Sequence, residues 1–85
     1  RLENSYKTQM SMLSPKQKMV LQAIAHEGTV KSVTSGAFIK KYFLDSASSV
    51  QSAVKGLTDK EVVSTTDTGT RVSDYFFSWW LKNRY

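Results

Sequence analysis

The chain contains no cysteine, so neither disulfides nor thiolate-bound metals can hold it together, and its apolar core must do so. A chain without cysteine is compatible with the cytoplasm, the location expected for it. Histidine occurs once, at position 26. His26 has no second histidine or cysteine with which to share a metal, and any Ser–His pair would have to use it, although nothing marks one serine as activated. On the polar side of its helix it suits a solvated residue better than a ligand or a base. Gly28, Gly36, Gly56 and Gly69 are widely separated, which excludes a Gly-rich phosphate loop. Apolar runs are only a few residues long, so no membrane span is expected, and no charged-then-apolar leader opens the chain. These absences imply no catalytic residues, no metal site and no cofactor within this chain.

Acidic residues are also few. Seven Asp and Glu stand against 12 Lys and Arg, leaving a net charge of +5. A small basic domain attracts polyanions, nucleic acid first among them. The positive residues are spread along the chain, which suits a solvated, charge-solubilised surface equally well. In 85 residues, 40% hydrophobic and 12% aromatic, there is material for one core.

The first residue is Arg1, and Leu2, Tyr6, Gln9, Met10 and Leu13 follow at helical spacing with no cap ahead of them. The chain therefore reads as starting inside a helix and as a piece of a longer protein. Ser14-Pro15 combines an N-cap oxygen with the imino acid favoured at the first helical position. Gln17, Val20, Leu21 and Ile24 then form an inward stripe, with Lys16, Lys18, Gln22 and His26 outside it. Gly28 stops this helix. Thr29 to Val33 is β-branched and suits a small strand or an extended connector.

Ser35 caps a short helix that turns Phe38, Ile39 and Tyr42 inward and Lys40 and Lys41 outward. After a tight turn at Phe43-Leu44-Asp45, Ser46 caps another. Ala47, Val50, Ala53, Val54 and Leu57 make its buried stripe, and Ser48, Gln51, Ser52 and Lys55 its outer one. Beyond Lys60 the period changes to two. Glu61–Thr66 and Thr70–Ser73 read as the strands of a hairpin turning at Asp67-Thr68-Gly69. Asp74 caps a last helix in which Phe76, Phe77 and Trp80 share a core face, while Trp79 falls off it.

Helix, helix, short strand, helix, turn, helix, hairpin, helix is the order of a winged helix-turn-helix, mostly α with a small β-hairpin (α+β). Four segments carry a more specific likeness: LSPKQKMVLQAIA (13–25), TSGAFIKKY (34–42), SASSVQSAVKGL (46–57) and DYFFSWWL (74–81). Together they resemble the winged-helix domain that ends many bacterial and archaeal AAA-type P-loop ATPases. That resemblance implies an ATP-binding domain before Arg1, with ATP and Mg held there. It also implies that residues 1–12 are the end of a preceding helix or a linker and residues 13–85 the domain itself. No nucleotide-binding residue is carried over to this chain. The family often has a longer apolar run where this chain has Glu61-Val62-Val63-Ser64-Thr65-Thr66, which leaves the length of the wing open.

Two functions follow. In DNA binding, Ser48, Gln51, Ser52 and Lys55 would face the major groove and Arg71 would reach from the wing. That face carries one lysine, and Asp59 continues it a turn later. The same residues also suit the solvated side of a core helix. In a docking or regulatory module, the partner is the protein's own ATPase domain or another protein. Tyr75, Phe76, Phe77, Trp79, Trp80 and Tyr85 crowd the last ten or so residues, and Trp79 is the candidate contact.

Overall fold

Ser14 begins the central helix, α2 (Pro15–Glu27), with a capping box: its hydroxyl accepts from the Gln17 N–H, and the Gln17 side chain accepts from the Ser14 N–H. The computed structural model describes residues 2–84, with the side chains of residues 2 and 3 left aside. Arg1 and Tyr85 lie outside the described residues, as do the expectations that concerned them. Val20, Leu21, Ala23, Ile24 and Ala25 are all buried, so α2 is covered on most of its circumference, as a helix at the centre of a domain must be. Gly28 takes a positive φ of 86° and returns its N–H to the Ile24 carbonyl.

Ahead of α2, helix α1 (Leu2–Ser11) buries Tyr6 and Met10 in the same core. The Tyr6 ring stacks on Phe77 with centroids 4.7 Å apart. Burial, reinforced by the charge of Asp74, pushes the Tyr6 phenol pKa up.

After α2 the β-branched stretch gives only a two-residue strand, β1 (Thr29–Val30), because the chain bends away before α3 (Gly36–Lys41). Ser35 caps α3 and Ser46 caps α4 (Ala47–Asp59), each through its hydroxyl to the N–H three residues on. Both helices end with a non-glycine residue at positive φ, Phe43 at 57° and Glu61 at 62°. The next N–H reaches back to the last turn in each case, Leu44 to Ile39 and Val62 to Leu57, both at 2.9 Å. Glu61 is therefore a helix terminator, and the strand expected from it, β2 (Val63–Thr66), starts two residues later.

β3 (Gly69–Val72) pairs with β2 and, antiparallel on its other side, with β1, giving the sheet order β1-β3-β2. The hairpin thus becomes a three-stranded sheet, and Ser73, expected in the strand, lies beyond it. Gly69 opens β3 with φ 134°, and a Cβ there would run into the Val30 backbone carbonyl. The turn is Asp67-Thr68. Asp74 caps α5 (Tyr75–Asn83), its carboxylate accepting from the N–H groups of Phe76 and Phe77.

Candidate nucleic-acid interface

Helix α4 meets α2 through small residues. Ala53 is buried, and a Cβ on Gly56 would collide with the Gln17 amide. Gln17, expected in the inward stripe, is only half-buried, because its side chain is held in the capping box at the edge of this contact. Val50, Ala53 and Leu57 form the buried stripe of α4, with Val54 half-buried. Ala47 is exposed, contrary to the periodic pattern. At the first helical position it precedes the turn that touches the core. The opposite stripe brings Ser48, Gln51, Ser52 and Lys55 together on one exposed face.

Two neighbours of this face lay outside the pattern of any single helix. Ser14, Lys16 and Gln17 from the start of α2 line a shallow groove of about 460 Å³ with Ser48, Ser49 and Ser52. Within it Lys16 is partly neutralised by Asp45, with Nζ 2.6 Å from Oδ2. The contact joins residues 29 positions apart, so only the folded chain reveals it. On the wing, Lys31 lies beside the Thr65–Thr70 turn in a second shallow depression.

Arg71 is exposed on β3 in register with Thr29 on one side and Ser64 on the other. It sits near the base of the wing; the tip consists of Thr66, Asp67 and Thr68 and carries a carboxylate rather than a cation. Of the α3 lysines, Lys41 is committed to Glu27 at 2.7 Å, while Lys40 makes no ion pair among the described residues. The same Glu27 carboxylate accepts a 2.8 Å hydrogen bond from the Tyr42 hydroxyl. Hydrogen bonding to Lys41, and then to Tyr42, holds the Glu27 carboxyl below the usual carboxylate range.

A helix in this position, behind a short helix and a tight turn and followed by a β-hairpin, is the defining arrangement of a winged helix. Residues 4–83 match a family described as "Probable winged helix domain". The chain belongs to this family. No curated protein and no solved structure matches the winged helix domain.

The domain's other unusual face is on α5. Phe77, Trp80 and Leu81 are buried, but Phe76, expected beside them, is exposed together with Tyr75 and Trp79. At about 100° per residue Phe77, Trp80 and Leu81 span an arc of about 100°, and Phe76 falls about 40° outside it on the Trp80 side, next to Trp79. Tyr75 and Phe76 meet edge to face at 5.8 Å. His26 is exposed on α2. Among the described residues no group of three or more His, Asp or Glu could hold a metal, and no helix is long and apolar enough to cross a membrane.

Proposed function

We propose that this winged helix domain contacts duplex DNA, with α4 in the major groove and the wing against the neighbouring backbone, as a module of a larger P-loop ATPase. The observation that carries the DNA reading is the α4 face. Ser48, Gln51, Ser52 and Lys55 are all exposed on one side of a helix whose other side is fully occupied by the core. Gln is able to pair with adenine in two-point fashion, Ser accepts or donates to any base edge, and Lys55 neutralises a phosphate. Lys31, Lys40 and Arg71 are further cations free for the backbone. The ATPase parent rests on the resemblance of the four segments, with ATP and Mg bound outside this chain. A Walker motif in the sequence upstream of Arg1 is its test.

With three or four phosphates neutralised, the logarithmic salt dependence has a slope of about −3, so raising salt from about 50 to about 200 mM costs roughly 50- to 100-fold in affinity. Fluorescence anisotropy with a labelled duplex measures both. Lys55→Glu removes most of the binding and leaves the melting curve unchanged. Absence of binding to any duplex at low salt rejects the reading.

A further inference from the structure

Lys16 stands on the first turn of α2, and Asp45 lies just ahead of the Ser46 cap of α4. Folding joins the two, Nζ to Oδ2 at 2.6 Å, with 30% of the Lys16 side chain and 71% of the Asp45 side chain still in water. So open an ion pair adds little to stability, because water already satisfies both charges. Its position matters more than its strength. Lys16 lines the groove that also holds Ser48, Ser49 and Ser52, and Ser48 and Ser52 belong to the exposed α4 face. An ammonium from α2 therefore borders that face.

A DNA phosphate and the Asp45 carboxylate compete for this ammonium, since either anion gives it a charge-assisted hydrogen bond. If Lys16 keeps Asp45, the pair brings no net charge to the backbone. If Lys16 turns to a phosphate, a bare carboxylate is left beside a polyanion, and like charges set together at an interface repel. Both arrangements cancel most of what one phosphate contact is worth. Lys55, on the α4 face itself, makes no ion pair among the described residues and keeps its full charge. Asp59, exposed at the far end of α4, makes none among them either, so its charge masks no cation.

We infer that Lys16 is a phosphate-contact residue masked by Asp45, and that this pair holds down the affinity of the domain for DNA. The inference rests on the DNA reading above and goes beyond it by naming what limits that binding. Removing the Asp45 charge frees Lys16 and adds one phosphate contact. The logarithmic salt slope then steepens from about −3 to about −4, and affinity at about 50 mM salt rises about three- to tenfold. Because the steeper slope falls faster, roughly three- to fourfold of that gain is lost again by about 200 mM.

Anisotropy titrations of the 85-residue chain with a labelled duplex of mixed sequence are the test. Asp45→Asn binds more tightly by the factor above and loses the gain when Lys16→Gln is added. Lys16→Gln alone weakens the unaltered chain by less than about twofold, because a masked cation contributes little. Asp59→Asn also removes a carboxylate from α4, but any gain it brings survives Lys16→Gln. Melting curves establish that each variant folds, and Asp45→Ser takes the place of Asp45→Asn if that variant melts early. Equal affinities of Asp45→Asn and the unaltered chain overturn the inference and leave the DNA reading standing. A gain from Asp45→Asn that persists in the Lys16→Gln background overturns it too, because net charge alone then explains the effect. If neither protein binds duplex at low salt, the DNA reading falls and the inference with it.

Discussion

Helices α4 and α5 both pack on α2, yet they show the solvent opposite chemistries. α4 presents hydroxyls, an amide and an ammonium, groups that water already satisfies and that give them up only to a hydrogen-bonding partner. α5 presents three aromatic rings that gain by leaving water whatever covers them. The inner stripe of each helix determines where it docks, and the outer stripe is then free to be specified for something else. The two faces therefore differ in what could cover them favourably: a hydrogen-bonding surface for α4 and an apolar one for α5.

The sharpest way to break this contrast is the adjacent pair Phe76 and Phe77, one residue type on two sides of one helix. Phe77 is 1% exposed, and Phe77→Ala costs about 3–5 kcal/mol of folding free energy, the range for emptying a buried aromatic site. Phe76→Ala costs less than about 1 kcal/mol, as for other exposed positions. Urea titrations of the two variants decide the matter, and equal midpoints would erase the distinction between the faces of α5.

A smaller effect sharpens the α4 side. Glu61 ends α4 in a left-handed conformation that costs a residue with a Cβ about 1–2 kcal/mol, part of which glycine returns as lost chain entropy. Glu61→Gly therefore stabilises the domain by about 0.5–1 kcal/mol, visible as a raised melting temperature. A lower melting temperature would mean that the side chain contributes more than its backbone strain.

The smallest effect lies away from both faces, where Glu27 ties the end of α2 to Lys41 and Tyr42. Its carboxyl is held lower when folded than when unfolded. The stabilisation is therefore complete above the unfolded value and fades as pH falls through the folded one. Between about pH 5 and about pH 3 the native chain loses melting temperature more steeply than Glu27→Gln does. Parallel melting curves for the two proteins across that window would remove Glu27 from the account.

The local chemistry of this chain was readable residue by residue. Ser14, Ser35, Ser46 and Asp74 all cap the helices they precede, because a cap involves a side chain and a backbone only two or three positions apart. The outer stripe of α4 was legible for a similar reason, since a 13-residue helix repeats its period three times. α5 has nine residues, too few turns for the pattern alone to orient its stripe, and Phe76 lies on the exposed side rather than in the core face its spacing suggests. Glu61 reads as the start of a strand because left-handed helix ends are normally announced by glycine or asparagine. The β1–β3 ladder and the Lys16–Asp45 pair join residues far apart in sequence, and no local period encodes them.

The central position of α2 also sets a ranking of amide exchange rates. The N–H groups of Val20 to Ala25 are internal to a helix whose surroundings include α4, α5 and the sheet, so they meet deuterium only when the whole domain opens. α3 has six residues and buries only Phe38 fully, and a helix so short has little stability of its own. Its amides exchange through local opening, well before those of α2. The helix that leads into the α3–α4 turn thus loosens before α2 does, with α4 still docked on α2.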